Sequence, residues 1–157
     1  MKDREDRRQR PHSTAPVGKV DRIIIDIQKK LRDTTQPINI SDLNAFERKR
    51  IHAFFDKKND YKTKTYRNGE NYIFRVYPIG NLKRFVEKEA QRALETGDTI
   101  ALPSMTSFER FIVHEHMQSW DDIETASIGE DEERHIELTP KRFGRKLKKI
   151  IRKMKFL

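Results

Sequence analysis

A chain that aligns with itself at an offset of 62 residues has few ways to fold. Phe46-Glu47-Arg48-x-x-Ile51-His52 returns as Phe108-Glu109-Arg110-x-x-Val113-His114. At the same offset and without a gap, Gly18, Arg22, Thr34, Ile38, Asp60, Thr63, Glu70 and Pro78 also meet identical residues. Apolar character is kept at Val20/Leu82, Ile24/Val86, Ile40/Leu102, Phe74/Ile136 and Val76/Leu138. Self-similarity at this period predicts one compact supersecondary unit used twice, over 18–80 and 81–140, not the rungs of a solenoid.

The unit reads as helix, short strand, helix, strand, strand. Val20, Ile24, Ile27 and Leu31 form the apolar stripe of a first helix over roughly 20–34, matched by Leu82, Phe85, Val86, Ala90 and Ala93 over 82–95. Short strands follow at Ile38–Ile40 and Thr99–Leu102. The motif helices come next. Asn44 and Thr106 are natural N-caps, and Glu47 and Glu109 three residues on complete a capping-box pattern, so these two carboxylates are assigned to structure, not catalysis. A hairpin closes each unit. Asn68-Gly69 marks the first turn and Gly129–Glu133 the second; Pro78 and Pro140 end the hairpins. Tyr72, Phe74 and Val76 alternate onto one face, with Ile73, Arg75 and Tyr77 on the other. The expected class is α+β: two units, each a three-stranded antiparallel sheet with helices on one face. A basic amphipathic helix is expected over 141–157 and a disordered basic tail over 1–17.

Composition narrows the function. Of 157 residues, 34% are apolar and 38% charged, enough for small cores only. The absence of cysteine removes disulfide and thiol chemistry and points to a cytoplasmic protein. No apolar run reaches membrane-spanning length, so no membrane insertion is expected. A net charge of +9 favours anionic partners. That charge is uneven: +6 over 18–80, −8 over 81–140 and +9 over 141–157.

In each copy of the motif, Arg and His are four residues apart, which on a helix puts them on one face about a turn apart. A guanidinium offers a planar fork to phosphate oxygens, and a nearby phosphate favours the charged imidazole. Arg48 and His52 are therefore the leading candidates, with Arg110 and His114 as their acidic-sided counterparts. Around the first pair Lys49, Arg50, Lys64 and Arg67 add positive charge. Tyr66 and Tyr77 are expected to be exposed rings on which bases could stack. The alternative for the Arg/His pairs is an internal carboxylate partner and a packed imidazole. Copy two is surrounded by Glu115, Asp121, Asp122, Glu124 and Glu130–Glu133, which should repel phosphate. No metal or cofactor is implied: His114 and His116 are two apart and do not face one ion on a helix. There is no phosphate-cradling Gly loop and no nucleophile signature.

The stretch Leu102-Pro103-Ser104-Met105-Thr106-Ser107-Phe108-Glu109-Arg110-Phe111-Ile112-Val113-His114, followed by Gly129-Glu130-x-Glu132-Glu133-Arg134-His135-Ile136, resembles the R-three-H domain. That family is named for an Arg and a His separated by three residues. Ile40 to His52 is similar, with Asp42-Leu43 in place of the usual Pro-Met. The second copy, with the helix and Thr96-Gly97 before it, also resembles bacterial Jag-type proteins, in which a KH domain precedes an R-three-H domain. Here no G-x-x-G loop lies upstream, and a tandem R-three-H reading is preferred over a degenerate KH domain. The resemblance implies binding of single-stranded RNA or DNA, with the family's Arg at Arg48 and Arg110 and its His at His52 and His114. The expectation is a non-enzymatic binder of single strands, RNA before DNA. The alternative is an interaction adaptor whose acidic second unit and basic C-terminal helix dock protein partners, such as an acidic or ribosome-associated one; a nuclease comes third.

Overall fold

The computed structural model describes residues 17–141. The expectations for the N-terminal tail and the basic C-terminal helix fall on residues outside that range. The first half contains α1 (Lys19–Lys30), β1 (Ile38–Ile40), α2 (Ala45–Asp56), β2 (Lys62–Asn68) and β3 (Asn71–Tyr77). The second contains α3 (Ile79–Thr96), β4 (Ile100–Ala101), α4 (Ser107–Met117), β5 (Ile123–Ile128) and β6 (His135–Pro140). Two three-stranded antiparallel sheets result, ordered β1-β3-β2 and β4-β6-β5. The protein is thus α+β.

Each half closes its own core, as the 2.0 and 3.6 periodicities require. Ile24, Ile27 and Leu31 of the first helix and its end meet Ile51 and Phe55 of α2 over Phe74 and Val76 of β3. Leu82, Val86, Ala90 and Ala93 meet Ile112, Val113 and Met117 over Ile136 and Leu138 in the second half. In each half the two helices cover the same face of the sheet. Both motif helices begin at a reciprocal capping box: Asn44 Oδ1 accepts from the Glu47 amide and Glu47 Oε2 from the Asn44 amide, and Thr106 and Glu109 do the same. Lys19 adds an ion pair to the Glu47 carboxylate at 2.6 Å. That ammonium and the Asn44 amide hold the carboxyl below the ordinary glutamate range.

Three local expectations shift. The first helix stops at Lys30, not residue 34, because its exit carbonyls are taken by the other half. The Asn81 side-chain amide donates to the carbonyls of Leu31, Arg32 and Thr34 at 2.8, 3.1 and 2.8 Å. The first hairpin closes on the Asn68–Asn71 pair, so its two turn residues are Gly69 and Glu70, with Gly69 at φ +64°. Glycine in the first turn position is the signature of a type II′ turn, one residue later than an Asn-Gly type I′ turn. The strand β4 is shorter than its expected span, keeping only Ile100 and Ala101.

The halves share a seam. The Gly80 amide donates to the Asp60 carbonyl at 2.9 Å. A methyl at Gly80 would lie 2.3 Å from an Asp60 carboxylate oxygen, so the helix enters only because no side chain is there. Phe108, at the start of α4, meets Tyr77 edge-on at 4.7 Å between ring centres, and the Lys64 ammonium sits 3.9 Å from the Phe108 ring centre. Tyr77 belongs to the second core although it ends a strand of the first sheet. Among the described residues no helix is long and apolar enough to cross a membrane.

Candidate nucleic-acid interface

Arg48 and His52 lie on the flank of α2 next to Ile51 and Phe55, whose burial aims that flank back toward the sheet. Both side chains are tied to the first half itself. The Arg48 guanidinium donates to the Leu43 carbonyl in the loop before the helix. Its flat face lies 4.6 Å from the centre of the Tyr72 ring. The His52 Nδ1 is hydrogen-bonded to the Thr63 hydroxyl on β2. Among the described residues, no carboxylate lies within ion-pair distance of either group. One guanidinium N–H is therefore used to fix the fork, and the others, with the imidazole Nε2, remain for an external acceptor. His52 is exposed and Arg48 half-buried.

Arg67 pairs with Tyr72 across the β2–β3 ladder, so it joins the same helix-side surface, and its Nε donates to the Gly69 carbonyl at 3.0 Å. The first site is thus a patch of Arg48, His52 and Arg67 around an exposed Tyr72 ring. Tyr72 was read from the sequence as a core-facing residue. It has the right parity, but it sits at the hairpin end beyond the core, where Arg48 takes the place of an apolar neighbour.

The other candidates separate. Lys49 and Arg50 are exposed on the opposite side of α2, with Arg50 5.8 Å from the Phe46 ring centre. Lys64, Tyr66 and Tyr77 lie on the reverse face of the sheet. Tyr66 remains exposed there, but the expectation that Tyr77 is an exposed stacking ring is overturned: it is 1% exposed. Strand alternation does turn Tyr77 away from the first core, and the second half then covers it. Its hydroxyl is hydrogen-bonded to that of Tyr66 at 2.6 Å, with the Arg75 guanidinium over both rings. Burial and that bond push the Tyr66 hydroxyl up to about 12.

The second pair has the same anchors. Arg110 donates to the Met105 carbonyl at 2.7 Å, and His114 Nδ1 is bonded to the Thr125 hydroxyl at 2.7 Å. No tyrosine underlies Arg110; Arg134 stands at the counterpart of Tyr72. Arg110 lines a cleft of about 480 Å³ together with Glu109, Asp131 and Glu132. His114 opens onto a different recess, with Trp120, Glu124 and Lys141. Burial, and then the neighbouring Arg110 charge, hold its pKa below the usual histidine value. Neutral imidazole beside an acid-lined guanidinium is a poorer phosphate receiver than the first patch. His116, the other histidine of this helix, pairs with Glu87 at 2.7 Å, and no group among the described residues has the three His, Asp or Glu side chains of a metal site.

The sequence reading missed the two threonines that orient the histidines and the ring beneath Arg48. Thr63 and Thr125 did carry a signal, since they are identical across the 62-residue offset. Comparison with known proteins gives one match: residues 80–140, about two-fifths of the chain, fit the family model of the R-three-H domain. The match contains Arg110 and His114. No curated protein and no solved structure matches the chain.

Proposed function

We propose that this protein binds single-stranded nucleic acid without catalysing a reaction on it, and that the first half is a second R-three-H-like unit. The fit of residues 80–140 to that family supports the ligand class. The equal element order, strand order and Arg-to-carbonyl and His-to-threonine anchors of the two halves support the duplication. The first half takes the principal phosphate contact, through Arg48 and His52, with Arg67 extending the track and Tyr72 giving an aromatic face. The observation that carries this assignment is the Arg48 fork: anchored through one N–H to Leu43, stacked on Tyr72, and without a carboxylate partner among the described residues. Exposed rings beside cations suit a single strand, whose bases stack while cations follow its backbone. A cytoplasmic setting makes RNA the expected strand. The acid-lined Arg110 would then contribute less, and the acidic second half is available to a basic protein partner.

Fluorescence anisotropy with a labelled oligonucleotide tests the reading. Affinity should fall with salt, by a log–log slope near −0.7 for each phosphate neutralised on a single strand. Competition between RNA and DNA of one sequence decides strand type. Salt-independent binding, or none, refutes the proposal.

A further inference from the structure

The seam inside the chain is built from side chains whose counterparts, 62 residues away, are left without partners. Ile79, which opens α3, is 3% exposed; its counterpart Val17 is 46% exposed. Phe108 is packed on Tyr77 and beneath Lys64; its counterpart Phe46 is 64% exposed. The receiving surface has a counterpart too. The reverse face of the first sheet presents Lys64, Tyr66, Arg75 and Tyr77, and the register places Ala126, Ile128, Glu137 and Thr139 at the same positions of the second. Ile128 is 43% exposed. The molecule therefore carries an unpaired projecting end on its first half and an unpaired receiving sheet on its second.

The two ends are complementary in charge. The projecting end has Lys49 and Arg50 beside Phe46, while the receiving face has Glu124 and Glu137 flanking Ala126 and Ile128. Arg50 stands where the internal seam has Ile112, a member of the core cluster that contains Tyr77. Glu137 stands where that seam has Arg75. Each change from the internal seam thus adds a charge, and the two added charges are opposite.

We propose that the occupant of this sheet face is a second copy of the chain, docked through its Phe46–Arg50 end so that the internal seam is repeated between molecules. The proposal rests on reading the first half as a second copy of the unit, and it does not require nucleic acid. The contact is heterologous, using different surfaces on the two molecules, so it builds a ring or an open row.

Sedimentation velocity on the nuclease-treated full chain tests it, from micromolar to near-millimolar concentration. The expected result is a mean mass that rises with concentration and falls when salt is added. Phe46→Asp removes one surface and Ile128→Asp the other; both positions are exposed, and circular dichroism checks that the fold survives. Each variant alone should stay monomeric, while their equimolar mixture should form a dimer that grows no further, because each supplies the surface the other lacks. A wild-type chain monomeric throughout, a single variant that still associates, or a mixture that does not pair overturns the proposal. Oligonucleotide anisotropy on the same samples keeps the two proposals apart, since association can fail while binding persists, and the reverse.

Discussion

Replacing Arg48 with alanine separates the structural and ligand-facing roles of one side chain. In the free protein the guanidinium donates to the Leu43 carbonyl and lies over Tyr72. The hydrogen bond from a charged donor in a part-buried setting contributes about 1–1.5 kcal/mol net. The exposed ring contact adds about 0.5 kcal/mol. Arg48→Ala should therefore lose about 1.5–2 kcal/mol of stability, a fall in Tm of roughly 4–8 °C for a chain of this size. On binding, the same change removes charge-assisted contacts to one phosphate, about 1.5–3 kcal/mol, or roughly ten- to hundred-fold in affinity. The salt slope should flatten by about 0.7. Both proteins are titrated well below the variant's Tm, so that folding does not enter. Arg48→Lys keeps the charge and loses the fork, so its slope should stay near wild type while its affinity falls. An Arg48→Ala protein that is folded and binds with unchanged affinity and slope would refute the assignment of the phosphate contact to the first half. So would a larger slope change in Arg110→Ala.

The hydroxyl of Tyr66 is raised above its ordinary 10.0 in the folded state, so its contribution to stability is complete below pH 10 and lost as the pH climbs toward 12. Tyrosinate absorbance should show one late-titrating ring, brought earlier by Tyr77→Phe; a Tyr66 that titrates normally contradicts the seam. The folded pKa of His114 is lowered, so the stability it contributes is present above pH 6.5 and lost as the pH falls through that lowered value. NMR titration should place its midpoint below 6.5 in the free protein, and a phosphate reaching it should raise that midpoint; a free-protein midpoint at or above 6.5 excludes the buried setting. Asn81→Ala should cost about 1–3 kcal/mol by leaving part-buried helix-end carbonyls without their donor, and Asn81→Asp should cost more because it sets a carboxylate against three carbonyl oxygens. Chemical denaturation measures both, and a neutral Asn81→Ala would mean that water replaces the amide.

Much of this architecture could be read from the residues because each element carries its own period. The stripe Val20, Ile24, Ile27 and the alternation of Phe74 and Val76 are local signals, and the two capping boxes are visible in four consecutive positions. What escaped was set by partners far along the chain. Alternation turns Tyr77 away from the first core, but only the placement of Phe108 covers it. Leu31 continues a helical stripe, yet the helix has already ended because Asn81 takes the carbonyls that follow. The spacing of Arg48 and His52 gave their shared face. It did not give the Leu43 carbonyl or the Thr63 hydroxyl that hold them, and those anchors decide which donors are left to point outward. Lys64 and Arg67 are three residues apart in one strand, which puts them on opposite faces of the sheet, so a basic run in sequence became two surfaces.

The amide of Asn81 also bears on where the polypeptide could be divided. A fragment ending at residue 80 would keep every element of its sheet and both of its helices, but the group that closes off the first helix would be gone. On a ribosome that helix would wait for the fifty residues after its end before it could be sealed. A boundary placed after α3 would produce a sturdier piece than one placed at the point where the repeat begins again.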